Sequence, residues 1–182
     1  LILKKNYLLV AVFALLAAAY ILAAQPWFLV AMSPNQAEVV LRSFDGLTVS
    51  PSTSALLLVT FAGIAAALLT RGIARSISFS VSAASQFLSV ALGTALLSSK
   101  DLSAVANEIE AATGIAANHG LTDVAIATQP VAIASLVIFL LLGAVLGFTA
   151  VLSRGWQKSR VPASKAKAVR QKDPISLWDQ QR

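Results

Sequence analysis

Ser78, Ser82, Ser85 and Ser89 recur at intervals of four, three and four residues, with Gln86 among them. A helix turns once every 3.6 residues, so this spacing puts the hydroxyls on one face, and Gly93 continues it. Two kinds of chemistry suit such a face. It can line a polar pathway or hold a ligand. Alternatively, its small side chains let membrane helices approach closely while hydroxyls bond across the seam. A serine can also return its hydroxyl to a carbonyl of its own preceding turn, so it costs little in lipid and says little about water. The 24 residues between Arg75 and Lys100 contain no ionisable group of the kind that conducting or proton-coupled paths use. Helix packing is therefore the preferred reading, and Gln86 reads as an interhelical clamp. Thr60, Gly63, Ala67 and Thr70 form a similar small-residue stripe further upstream. Gly143 and Gly147, followed by Ala150, suit either the inside of a bundle or a partner subunit.

The remaining chemistry-bearing residues form no catalytic constellation. His119 reads as a polar loop residue beside a helix stop, with a pH sensor or ligand as the alternative. Asp101, Glu108, Glu110 and Asp123 could bind a cation together, but Glu108 and Glu110 are two apart on a helix and do not face each other. A solvated acidic face is preferred. The chain has no cysteine, which excludes disulfides, thiolate nucleophiles and cysteine metal sites. No phosphate loop, nucleophile with its base or metal spacing is present. The expectation is a non-enzyme with no catalytic, cofactor or metal site.

The elements that carry these residues follow from charge and hydropathy. The chain of 182 residues is 57% hydrophobic and 12% charged. Four uncharged runs of 32, 25, 24 and 30 residues are bounded by Lys5 and Glu38, Asp45 and Arg71, Arg75 and Lys100, and Asp123 and Arg154. Crossing a bilayer takes about 20 apolar residues, so each run holds one span and none holds two. A backbone in lipid must satisfy its own hydrogen bonds, so the spans are helices. The expected fold class is all-α, a polytopic membrane protein with four transmembrane helices at about 7–25, 53–70, 76–97 and 130–152. These lie in a transmembrane domain of residues 1–152, followed by a basic tail of residues 153–182. Lys4 and Lys5 before the first span resemble a signal peptide's start. That span ends in Gln25-Pro26-Trp27 without a small-residue cleavage site, so it reads as a retained anchor.

Twelve of the fourteen basic residues fall on one side of this arrangement; only Arg42 and Lys100 fall on the other. The positive-inside rule makes the basic side cytoplasmic, with both termini there, in the plasma membrane. The loops 26–52 and 98–129 are then extracytoplasmic and are expected to build a small ordered cap. Gln25, Pro26 and Trp27 should anchor the end of the first helix, with Trp27 at headgroup depth. "AEVVLRSFDGLTVSP" reads as two short extended pieces around an Asp45-Gly46 turn. "DLSAVANEIEAATGIAA" reads as an amphipathic helix with Leu102, Val105, Ile109, Ala112 and Ala116 as its apolar stripe, capped by Asp101 or Ser103. "LTDVAIAT" reads as a possible third strand. The tail's positive charge suits anionic inner-leaflet lipid and explains the net charge of +6 without nucleic acid. Within the tail, Asp173, Pro174, Ile175, Leu177 and Trp178 read either as a docking motif or as a membrane contact.

Three stretches carry a resemblance: "AAQPWF", "SPSTSALLLVTFAGIAAALLTRGIAR" and "DPISLWDQ". Through Gln25, Pro26, Trp27, Arg71, Asp173, Pro174 and Trp178 the chain resembles the actinobacterial tryptophan-associated transmembrane proteins, four-helix proteins often encoded beside tryptophan biosynthesis genes. The acidic Gly-Glu-Asp-Pro-Thr ending of that family does not follow Trp178. The resemblance implies no catalytic residue. The functional expectation is a non-enzymatic accessory or structural subunit of a larger actinobacterial plasma-membrane complex, respiratory or cell-envelope, whose partners are the bilayer and other membrane-protein subunits. The alternative is a small transporter or sensor of tryptophan or a related metabolite.

Overall fold

A computed structural model of the chain describes residues 2–32, 40–113 and 124–157. Among the described residues four helices are long and apolar enough to cross a membrane: α1 (Ile2–Ala23), α3 (Pro51–Leu69), α4 (Ile73–Ser99) and α6 (Pro130–Ser153). They match the four uncharged runs, with ends shifted by a few residues. Local chemistry sets those ends. Ser50 accepts from the Thr53 amide at 3.4 Å, and Pro51 fills the first position of α3, where a missing N–H costs nothing. Pro130 does the same for α6.

The α3–α4 hairpin is closed by an arginine and a glycine. The Arg75 guanidinium donates to the Ala67 carbonyl at 3.0 Å and to the Thr70 carbonyl at 2.7 Å. It thereby satisfies acceptors that the end of a helix would leave unpaired. Gly72, at φ 68°, takes the left-handed conformation that lets the chain reverse within the short "RGIAR" link.

Helix α4 is central and packs against both α3 and α6, while α1 joins the bundle mainly through α6. The order across the bundle is α3–α4–α6–α1. Outward faces are apolar, with Tyr7, Leu58, Ile73, Phe148 and Val151 all exposed, as a lipid-facing surface requires.

The two loops assemble into one cap that contains strands as well as helix, as expected. A three-stranded antiparallel sheet has the order β2–β1–β3, with β1 Pro26–Met32, β2 Val40–Asp45 and β3 Val124–Thr128. The third strand falls where expected. The first hairpin does not turn at Asp45-Gly46. Instead, Asp45 Oδ1 accepts from the Thr48 amide at 2.6 Å and starts the short helix α2 (Gly46–Val49). Gly46 is needed there because an added Cβ would collide with the Trp27 indole. A 3₁₀ turn at Ser103–Val105 leads into α5 (Ala106–Thr113), and Leu102, Val105 and Ile109 are buried as the apolar stripe requires. Ala116 and the "NHG" stop lie outside the described residues.

Candidate functional site: a polar seam between three helices

Helix α4 supplies the polar face. Along it Ser76, Ser82, Ser85, Gln86, Ser89 and Gly93 are buried. Ser78 is only half-buried and returns its hydroxyl to the Ala74 carbonyl at 3.0 Å. The four-serine stripe therefore splits, with Ser78 at its edge.

The hub of the seam is Thr60 on α3. Its Oγ1 accepts from Gln86 Nε2 at 2.6 Å, lies 2.7 Å from Ser85 Oγ and reaches the Leu56 carbonyl at 2.9 Å. Ser82 Oγ sits between the Thr60 carbonyl at 3.3 Å and the Ser78 carbonyl at 3.0 Å. Ser85 also reaches the Ser82 carbonyl at 2.9 Å, and Ser89 donates to the Ser85 carbonyl at 3.0 Å. Each hydroxyl has one proton, so beyond the Gln86 N–H to Thr60 bond two directions fit the centre: Thr60 donates to Ser85 and Ser85 to the Ser82 carbonyl, or Ser85 donates to Thr60 and Thr60 to the Leu56 carbonyl. Either way the chain ends on backbone. Gln86 Oε1 is fully buried and has no hydrogen-bond partner among the described residues.

Small residues bring the backbones close enough for this. A Cβ added at Gly63 of α3 would collide with the Ser82 hydroxyl. One added at Gly143 of α6 would meet Gln86 Cβ at 3.3 Å and Phe87 Cζ at 3.4 Å. One at Gly93 would meet Leu136 Cδ2 at 2.5 Å. Gly147 behaves differently, with nothing within 4 Å of an added Cβ. The Gly143/Gly147 pair is thus divided: Gly143 faces the seam and Gly147 faces away from it.

A second polar tie closes the α4–α6 contact at the end away from the cap. Ser76 Oγ donates to the Ala150 carbonyl at 2.9 Å and accepts from Arg154 Nε at 3.3 Å. The Arg75 guanidinium lies 5.8 Å from the centre of the Trp156 ring. Sequence reasoning attached no role to Ser76. Its signal was available, because Ser76 lies six residues before Ser82 on the helical face that continues through Phe79.

The expected anchor at the end of α1 needs correcting. Gln25 and Pro26 are exposed, but Trp27 is fully buried. Its indole N–H donates to the Leu22 carbonyl at 3.2 Å, and its ring centre lies 6.5 Å from that of Phe139 on α6. Trp27 pins the cap to the bundle with a buried ring and does not present that ring to lipid headgroups. The physical reason is the central strand: β1 has neighbours on both edges, and its side chains are buried on both faces.

Among the described residues the acidic side chains form no metal-binding cluster. Glu108 pairs with Arg42 at 3.0 Å. Asp101 accepts from the Ser103 amide at 3.0 Å, and this bond, followed by one from the Ser103 hydroxyl, holds its carboxyl below the usual carboxylate value. Among the described residues no three His, Cys, Asp or Glu side chains lie together. Asp123, His119 and the tail residues Asp173, Pro174, Ile175, Leu177 and Trp178 lie outside the described residues.

What this seam can do is hold three helices in register. No curated protein and no solved structure matches the chain. A family model does, across spans, cap and tail alike. By that match over residues 7–180, the chain belongs to the tryptophan-associated transmembrane protein family.

Proposed function

We propose that this multi-pass protein is a non-enzymatic accessory or structural subunit of a larger plasma-membrane complex, with both termini cytoplasmic and the cap outside. One observation carries the reading: the polar face of α4 is spent internally. Ser82, Ser85, Gln86 and Ser89 are each at most 6% exposed. Their hydroxyls and the amide nitrogen bond to α3 or to α4's own backbone. A carrier keeps its site reachable from one side at a time near the midplane, whereas this seam is shut along its length. Gly147 supports the subunit reading, because a small residue beside exposed Phe148 and Val151 offers a neighbouring helix a close approach. The orientation rests on the described basic residues: Lys4, Lys5, Arg71, Arg75 and Arg154 fall at the end away from the cap, against Arg42 and Lys100 at the cap. The basic tail would rest on anionic lipid there.

The test is extraction of the tagged protein from native membranes in mild detergent. Stoichiometric membrane partners are expected, and Gly147→Leu should release them while the four-helix fold survives. Recovery of the chain alone would sink the subunit reading. A second reading, a small transporter or sensor of tryptophan or a related metabolite, draws on the unpartnered Gln86 Oε1, an acceptor waiting for a donor. It requires tryptophan binding or flux in proteoliposomes that the Ser82→Ala/Ser85→Ala pair abolishes.

A further inference from the structure

Helices α1 and α3 sit at the two ends of the α3–α4–α6–α1 order, and a groove of about 600 Å³ opens between them. Its α1 wall runs from Phe13 through Ala17 to Tyr20, and its α3 wall from Ser54 to Phe61; Leu47 of α2 reaches it from the cap. We propose that this groove is a lipid site that holds the hydrocarbon chains of one diacyl lipid from the cap-side leaflet.

Length comes first. Seven residues separate Phe13 from Tyr20 and Ser54 from Phe61, which is about 10.5 Å at 1.5 Å per residue. The hydrocarbon core is about 30 Å thick, so the groove spans one leaflet and not two. Phe13 and Phe61 stand near the middle of their spans. Tyr20, Leu47 and Ser54 mark the cap end, where headgroups begin. A transmembrane helix from a partner would run on past the groove's inner end through the rest of the core.

Width is compatible with this occupant: hydrocarbon chains are much thinner than a helix about 10–12 Å across, so a pair can lie along the groove.

Polarity completes the match. The lining is apolar except at the cap end, where the Tyr20 and Ser54 hydroxyls stand at the depth of a lipid's ester and headgroup oxygens. Other segments of this chain are poor occupants. Residues 33–39 and 114–123 carry Glu38, Asn118, His119 and Asp123. The basic tail leaves α6 at the far end. Nothing in this inference depends on the subunit reading.

The test uses the full chain in phosphatidylcholine nanodiscs, released into native mass spectrometry at activation energies that strip loosely held lipid. One phosphatidylcholine per chain should remain. Ala17→Trp fills the groove from α1 and should lower the retained fraction at least five-fold. Leu58→Trp does so from α3 and decides the matter if the first variant fails to fold. Val137→Trp, on the outward face of α6, should leave retention unchanged. Equal retention in groove-filled and wild-type protein overturns the proposal. So does a wild-type dimer that Ala17→Trp converts to monomer without lipid loss, because the groove would then hold a second copy.

Discussion

Gln86 Oε1 is the buried side-chain polar atom without a partner among the described residues, and it sits one amide away from the hub of the seam. The two ends of that amide predict opposite mutational outcomes. Thr60→Val removes the acceptor and leaves a buried N–H unpaired, which costs about 1–3 kcal/mol. Gln86→Leu removes the donor together with the unpaired acceptor, and should be nearly neutral. Unfolding in mixed micelles should rank Thr60→Val as the more damaging by about 1 kcal/mol, near the upper end for membrane hydrogen bonds. The reverse order would mean that Oε1 has a partner, such as a bound molecule. At the cap, Asp101 supplies a titration. Its folded carboxyl binds a proton more weakly than the ordinary one because Ser103 donates to it. The cap's contribution is therefore full above about pH 4, the ordinary carboxylate value, and is lost as pH falls through the lower folded value. Thermal melts across the acid range should show this dependence weakened in Asp101→Asn.

At the scale of elements, close approach of α3 to α4 depends on Gly63. An added methyl there meets Ser82 on a helix that is itself held by α6. Gly63→Ala should destabilise the bundle by about 1–3 kcal/mol, the usual penalty for overpacking. Gly147→Ala meets nothing and should change stability by less than about 0.5 kcal/mol. Equal losses in the two variants would place Gly147 inside a packed seam. The sheet obeys a different rule. Strand β1 is central, so its ends are fixed by β2 on one edge and β3 on the other, although almost a hundred residues separate it from β3. The full sheet needs both loops, because β3 of the second pairs with β1 of the first.

For the whole molecule, sidedness is the property with the widest consequences, and the absence of cysteine makes it simple to read. Ser43→Cys lies on an exposed part of β2, and Gly155→Cys lies exposed at the opposite end of the bundle. A membrane-impermeant maleimide applied to intact cells should label Ser43→Cys at once and Gly155→Cys only after permeabilisation. The opposite pattern would invert the proposed topology and put the cap inside.

Four spans, their limits and the polar stripe on α4 were legible from residue order. A bilayer imposes a length and an apolar requirement that any single segment meets or fails without reference to its neighbours. The family was legible for a related reason, since its short motifs are local. Which hydroxyl meets which partner was not. Thr60 and Gln86 are 26 positions apart in the chain, and their contact depends on the facing and depth of two helices. The split between Gly143 and Gly147 and the burial of Trp27 likewise depend on what lies opposite. The α1–α3 groove depends on the order in which the helices pack. Hydropathy specifies that a helix belongs in the membrane. It leaves open which helices stand side by side, because lipid is as apolar as the outer face of any of them and close packing alone decides.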